Sequence, residues 1–402
     1  MVRPAFTGSL TQQPPIPEEG VAAATEVLRS GQLHRYNTSP GDMSQSAELE
    51  REYAAWQGAR YCLALASGGQ AMQIALRAAG VGPGEPVLTN SFTLAPVPGA
   101  IAAVGGRPVF VEITGDLVID LGDLVEKARA SGARFLLLSN MRGHQCDMDR
   151  LTQIARAEEL VVFEDCAHTM GARWNGRKSG SFGLAGCFST QTYKHLNSGE
   201  GGLLVSDDGD FVARATLLSG SYMHYERHGA GPELTAFSEA RFDMPNMSAR
   251  MDNLRAAILR PQLRAINTSI SEWNARHALI ADILGACAAI RLPVRPEAED
   301  YVGSSIQFFI DGIGTAEADM FVAALSRIGV EVKWFGAAEP SGFTSTHKSW
   351  RYVPQQALPR TDGLLSGLFD MRIPLTLSLE DCKLIAAHIT DAARNIGTRI
   401  SV

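Results

Sequence analysis

A chain of 402 residues with 43 acidic against 36 basic side chains, 45% hydrophobic and 20% charged, has the make-up of a folded protein and not of a disordered or fibrous one. The net charge of -7, with no clustered run of Lys and Arg, excludes nucleic acid as the expected partner and points to small molecules. No stretch approaches the ~20 apolar residues of a membrane span, and the length exceeds what one core usually organises, so a large domain with a smaller one attached is expected.

After a Pro-rich arm, residues 17–30 show helical apolar spacing and stop at Gly31, and residues 46–57 form a second helix that also ends at a glycine. Residues 61–66 are a short apolar run leading into Ser67-Gly68-Gly69-Gln70, with helical spacing over 71–79: a strand, a tight loop and a helix. The alternation continues with strands at 86–89, 108–112, 135–139 and 161–164 and helices at 94–104, 121–130 and 148–157. This is the pattern of an α/β fold with a mostly parallel sheet wrapped in helices. Two further apolar segments, 186–189 and 202–206, flank a polar, glycine-bounded loop and read as an antiparallel insertion. A long helical pattern starts at Met251, and Pro261 is expected to kink or cap it. The domain boundary is placed there, giving a large domain over 1–265, arm included, and a small α/β domain over 266–402 with strands at 305–310 and 330–333 and a closing helix at 379–396. Cys62, Cys146, Cys166, Cys187, Cys287 and Cys382 are scattered without a C-x-x-C pair and read as reduced core thiols. The first residues carry neither an apolar signal core nor an Arg-rich amphipathic pattern, so the cytoplasm is the expected compartment.

Four local features carry the chemistry. Ser67-Gly68-Gly69-Gln70, between a strand and a helix, is either a plain tight turn or a place where backbone N–H groups and the positive helix end hold a phosphate. Glu164-Asp165-Cys166-Ala167-His168 ends a strongly apolar strand, at the sheet edge where open α/β folds bind ligands. A carboxylate there either caps a helix or accepts the N–H of a pyridinium ring. Lys194, in Phe188-Ser189-Thr190-Gln191-Thr192-Tyr193-Lys194 ahead of Gly199-Glu200-Gly201-Gly202, is either a solvated loop lysine or an amine that loses its proton and attacks an aldehyde. Asn246-Met247-Ser248-Ala249-Arg250-Met251-Asp252 opens the long helix, with Asn246 or Ser248 as a possible cap.

At these residues the chain resembles the DegT/DnrJ/StrS family of pyridoxal-phosphate (PLP) dependent sugar aminotransferases. The resemblance runs from about Gly31 to Leu263 and fades afterwards. Its most specific element is FS-x4-K followed by GEGG; EDCAH, GHQCDMD, SGGQA and NMSARMDNLRAAIL match the family's other motifs in order. The resemblance implies the aspartate-aminotransferase fold (PLP fold type I), with Lys194 as the Schiff-base lysine, Asp165 as partner of the pyridine nitrogen and His168 beside the ring. It places Ser67, Gly68, Gly69, Gln70 and Ser189 around the phosphate. It also implies a homodimer with shared sites, in which Asn246 or Ser248 reaches the partner's phosphate. An amino donor, Glu or Gln, and a carbonyl acceptor such as a keto-sugar nucleotide or cyclic ketone are the implied small-molecule substrates. A same-fold PLP enzyme of dehydration, cyclisation or elimination is the alternative, and a non-catalytic regulatory protein is disfavoured by the intact Lys194, Asp165 and Ser189.

Several residues depart from the pattern. Leu94 stands where the family often has an aromatic over the ring, and Phe92 is the candidate substitute. Met141-Arg142 replaces a common Leu-Tyr, making Arg142 either a surface residue or a contact for a substrate carboxylate or phosphate. Arg372 is either such a contact or an ordinary salt bridge. His224 and His228, four apart, read as polar surface and not as a metal pair, because no third ligand is near.

Overall fold

The computed structural model describes residues 3–39 and 41–400, with side chains described through residue 396. Among the described residues there are thirteen strands: β1 (Tyr61–Leu65), β2 (Pro86–Asn90), β3 (Arg107–Val111), β4 (Phe135–Ser139), β5 (Val161–Asp165), β6 (Arg173–Trp174), β7 (Arg177–Lys178), β8 (Ala185–Ser189), β9 (Gly202–Ser206), β10 (Glu299–Asp300), β11 (Ser305–Phe309), β12 (Lys333–Trp334) and β13 (Leu368–Arg372). Seven form one sheet in the order β1-β9-β8-β5-β4-β2-β3. The pairs from β3 through β8 are parallel, and β9 lies antiparallel between β8 and β1, as the two apolar segments flanking the lysine loop suggested. The central strands are short apolar runs buried at nearly every position because helices cover both faces.

That register places the site. Ser139 pairs with Asp165 across β4 and β5, Asp165 pairs with Cys187 across β5 and β8, and Ser189 pairs with Gly202, which in turn pairs with Leu65. The ends of four neighbouring strands therefore share one sheet edge, and the turn after β1 opens onto it.

The helix after β1 spans Gly68–Ala78, so the two glycines read as loop form its first turn instead. The long helix runs unbroken over Asn253–Gly285 with Pro261 inside it, where a kink or cap was expected. Packing explains this: Leu259, Leu263 and Ile266 anchor the helix in the core beneath β1 and β9, while Ile280 and Leu284 belong to the core around β11 and β13. Contacts at both ends outweigh the hydrogen bond a proline removes. Phe6 and Leu10 of the N-terminal arm pack into that second core as well. The second core sits on an antiparallel sheet in the order β11-β13-β12, flanked by helices Thr315–Ser326 and Leu379–Ile400. All six cysteines are buried free thiols. Among the described residues no helix is long and apolar enough to cross a membrane.

Candidate active site

The turn after β1 is built for close approach. Ser67 caps the helix, its Oγ accepting the N–H of Gln70 at 3.1 Å. The N–H groups of Gly68 and Gly69, first in the helix, have no intrahelical acceptor and face outward at its positive end. A Cβ on Gly68 would lie 2.9 Å from Ser189 Cβ, so only glycine lets this backbone approach the end of β8. Gly202 is as constrained, since a Cβ there would sit 2.3 Å from the Ser67 carbonyl.

One cavity beside this turn is walled by Gly68, Gly69, Ser189, Asp165, His168 and Lys194, with Leu94 and Met141 on its apolar side. Strand ends position Asp165 and Ser189. The loop between β8 and β9, closed by the Thr190 N–H to Gly201 carbonyl bond of 2.9 Å, carries Lys194 back over them. Lys194 Nζ lies 2.8 Å from His168 Nε2, and His168 Nδ1 accepts the backbone N–H of Arg142 at 3.3 Å. With Nδ1 occupied as an acceptor, a neutral His168 carries its proton on Nε2 and donates it to an unprotonated Lys194 amine. Burial, and after it the Arg142 guanidinium, push the Lys194 amine down to about 7. Burial and the neighbouring Lys194 also hold His168 well below the usual imidazole range, so both groups favour their neutral forms.

Asp165 is anchored by Ser139 Oγ at 3.0 Å and by the Ala167 N–H at 3.1 Å, and Thr93 Oγ1 donates in turn to Ser139 at 2.7 Å. Burial pushes the Asp165 carboxyl up from its ordinary value, while these donors and Lys194 oppose the rise. The adjoining Glu164 has a purely structural task, accepting the N–H groups of Gly180, Phe182 and Gly183.

Other residues singled out in the sequence fall elsewhere. Gln70 does not line this cavity, and its Oε1 is buried without a hydrogen-bond partner. Asn246 and Ser248 are exposed and bond to each other, Ser248 N–H donating to Asn246 Oδ1 at 2.9 Å, and neither lines the cavity. Phe92 is 1% exposed and meets Phe335 edge-on at 5.1 Å, inside an apolar cluster with Leu365 and Leu368, so it is no substitute for a ring-covering aromatic; Leu94 faces the cavity instead. His228, read as polar surface, is buried: its Nδ1 lies 3.0 Å from the Tyr36 hydroxyl and its Nε2 3.2 Å from Glu50. Arg142 is no surface residue either, pairing with Asp370 at 2.7 Å. Ser139, Thr93 and Asp370 were not anticipated. Ser139 was readable as the end of an apolar strand beside the one ending in Asp165, whereas Asp370 gave no signal.

Comparison with known proteins decides the family. The family model for DegT/DnrJ/EryC1/StrS aminotransferases matches residues 14–390. The chain belongs to the DegT/DnrJ/EryC1/StrS aminotransferase family. It is 30% identical over 285 residues, 71% of its length and 66% of the relative's, to an L-glutamine:2-deoxy-scyllo-inosose aminotransferase of Streptomyces fradiae. It is 34% identical over 218 residues to a pleiotropic regulatory protein of Geobacillus stearothermophilus, an alignment of 53% of this chain and 54% of that one. These alignments thus span between about half and two thirds of the relatives' own length. Among solved structures, DesV of S. venezuelae superposes with a TM-score of 0.78 at 26% identity, covering 94% of each chain. As a member of this aminotransferase family, the chain has the fold expected of it: a mixed α/β protein with a seven-stranded, mostly parallel sheet and a small C-terminal sheet.

Proposed function

We propose that this family member is a PLP-dependent transaminase that moves an amino group from glutamate or glutamine to a keto-sugar nucleotide or related cyclic ketone. The observation that carries the reading is a single cavity whose walls combine a neutral-leaning lysine amine, a buried carboxylate on a parallel strand end and two bare N–H groups of a helix start. The names of the Streptomyces relative and of the family support the reaction class.

The residues fit the cofactor. Gly68, Gly69 and Ser189 form a cradle that any side chain on Gly68 would fill, and they would hold its phosphate. Asp165 would accept the ring N–H, Lys194 would hold the aldehyde carbon covalently, and His168 and Leu94 would lie against the ring. When bound, the cofactor supplies an electrophilic carbon and an electron-withdrawing ring. The chain supplies the proton handling. An amine that burial pushes down to about 7 can take a proton from the donor's α-carbon and return it, because far more of it is unprotonated at neutral pH than of a solvated lysine. The His168 N–H fixes the position of Nζ, the Arg142 backbone fixes the His168 tautomer, and Ser139 keeps the Asp165 carboxylate oriented. Asn246 and Ser248 are exposed and away from this chain's own cavity, and the reading assigns one of them to the phosphate of a second copy in a homodimer of shared sites.

Lys194→Ala tests the reading. The variant is expected to keep its circular dichroism and melting temperature while losing covalent retention of the cofactor and all turnover. Wild-type holoenzyme mixed with L-glutamate or L-glutamine is expected to convert its cofactor to the amine form, read from the visible spectrum. A Lys194→Ala protein that transaminates at the wild-type rate refutes it.

A further inference from the structure

A small cavity that Lys194 and His168 border has an uncharged wall that the reaction as described does not use, formed by Gln13 and Ser304 beside Trp273. Gln13 arrives on the N-terminal arm. The Phe6 N–H donates to the Ile328 carbonyl at 2.9 Å and Thr376 Oγ1 donates to the Gln12 carbonyl at 3.1 Å, which ties the arm to the small domain. Just beyond, the helix Glu18–Ser30 packs along the long helix, with Glu19 2.6 Å from Arg264. Residues 13–17 bridge these anchors and line a further cavity with Lys194 and His195. Pro14, Pro15 and Pro17 lock φ along the way, so the arm passes Lys194 as a stiff strap. Gln13 Nε2 donates to the Thr11 carbonyl at 3.4 Å, which leaves its Oε1 without a donor among the described residues.

Ser304, directly before β11, is set by His195. The His195 Nε2 lies 3.0 Å from Ser304 Oγ, and its ring meets Trp273 edge-on at 5.1 Å. Burial, and after it the neighbouring Lys194, hold His195 down at about 3, so the ring is neutral. Its Nδ1 is buried without a partner. An orphaned buried N–H is rarer than an orphaned lone pair, so the proton sits on Nε2 and is donated to Ser304. Ser304 Oγ makes no other hydrogen bond among the described residues. Having accepted from His195, it has its own O–H left to give.

We infer that Ser304 and Gln13 bind one uncharged group of a substrate, which accepts the Ser304 O–H and donates to Gln13 Oε1, and that His195 is the positioning residue for the Ser304 hydroxyl. The cavity they share has a volume of about 30 Å³, room for one small group. A carboxylate has no hydrogen to give and an ammonium no lone pair to offer, so neither satisfies both residues; a hydroxyl or a carboxamide does. The inference deepens the transaminase reading and rests on it for the term substrate; the binding itself does not need turnover. Two sources share this chemistry: a hydroxyl beside the carbonyl of a cyclic acceptor, and the side-chain carboxamide of L-glutamine.

Holoenzyme is titrated by calorimetry with myo-inositol and with glutaramide, neither of which has an amine or a ketone to react. In parallel the first half-reaction is followed with L-glutamine and with L-homoleucine, which has the same shape without the carboxamide. The return half-reaction of the amine form is followed with 2-hydroxycyclohexanone and with cyclohexanone. The wall predicts a preference for the hydrogen-bonding member of at least about tenfold in one arm, lost in Gln13→Met and in Ser304→Ala. A hydroxyketone preference assigns the wall to the acceptor, and a glutamine preference assigns it to the donor. His195→Gln keeps a donor for Ser304 and should keep the preference, whereas His195→Leu should lose it; equal loss in both denies His195 the positioning role. Wild-type protein that shows no preference in either arm, or Gln13→Met and Ser304→Ala proteins that keep it, overturn the inference. If no amino acid reacts at all, the transaminase reading fails, and the calorimetric comparison of wild type with the two variants still decides the wall.

Discussion

Glu50 and Asp370 are both fully buried carboxylates that receive an arginine, and they differ in what else surrounds them. Glu50 takes both Arg35 amino groups, at 2.6 and 2.8 Å, and the Ala64 N–H at 2.7 Å, while His228 closes the set with help from Tyr36. Burial alone would push this carboxyl up, yet Arg35 and His228 hold it down at about 2. Every charge there has a matched partner, and the cluster pins the segment after Tyr222 to the body of the large sheet. Around Asp370 the cations, Arg142, Lys333 and Arg372, outnumber the carboxylate, and Arg142 and Arg372 border a cavity. Buried charge therefore marks function here by imbalance, since a satisfied pair needs nothing further and a surplus does.

The comparison can be broken at either end. The largest effect belongs to the cavity: Asp165→Ala is expected to slow the first half-reaction by about two orders of magnitude or more, with the melting temperature little changed, as stopped-flow and thermal scans would read. At the matched cluster the expectation reverses. Arg35→Met strands Glu50 and should cost about 3–5 kcal/mol of stability in denaturant titration, leaving the rate per folded molecule near wild type. Arg35→Met combined with Glu50→Leu should recover much of that loss. An Arg35→Met protein of normal stability but low activity would erase the distinction.

Much of the large sheet was legible because each parallel strand is a short, continuously apolar run, and burial on both faces leaves that imprint in sequence. The residues at the strand ends, Asp165 and Ser189, and the lysine in the glycine-bounded loop were readable for the same reason: they are polar where an apolar run stops. Strand β13 was not, because Asp370 and Arg372 interrupt its apolar signal, and Asp370 is tolerated inside by distant partners, Arg142 more than two hundred residues away together with Gln307 and Lys333. His228 misled likewise, its burial depending on Glu50 and Tyr36 from distant segments. Phe92 shows a subtler failure: two residues from Leu94 in sequence, it points into the core against Phe335, and no periodicity encodes that turn of backbone. Local pattern reports where the chain is apolar; it does not report which buried charges find each other.

The two clusters should also titrate at opposite ends of the pH scale. Glu50, depressed from 4.5 to about 2 on folding, contributes stability that is present above the higher value and lost as pH falls through the lower. Lys194, depressed from 10.5 to about 7, gives a slope of the same sign but carries a penalty where Glu50 contributes stability. Between those values the unfolded chain binds the extra proton, so the cofactor-free protein gains stability as pH rises from 7 toward 10.5, and the penalty is full below 7. Melting temperatures across pH are expected to lose the alkaline rise in Lys194→Met and the acid fall in the Arg35→Met, Glu50→Leu variant, each without touching the other limb. Loss of both limbs in either variant would mean that the clusters are not independent.

The smallest effect is the most specific. Lys333 depresses Lys194 through space, after Arg142 and Arg372, and is itself pushed down to about 8 by burial. Lys333→Met removes one member of the surplus, so the Lys194 amine should titrate higher by about half a unit or less, a shift that the pH dependence of amine labelling in the cofactor-free protein can resolve. His228→Asn removes a buried group of the matched cluster and should leave that titration unmoved, because no charge around Glu50 acts on Lys194. Equal shifts from the two variants would show that burial in general, and not the excess of cations facing the cavity, sets the proton affinity of this amine.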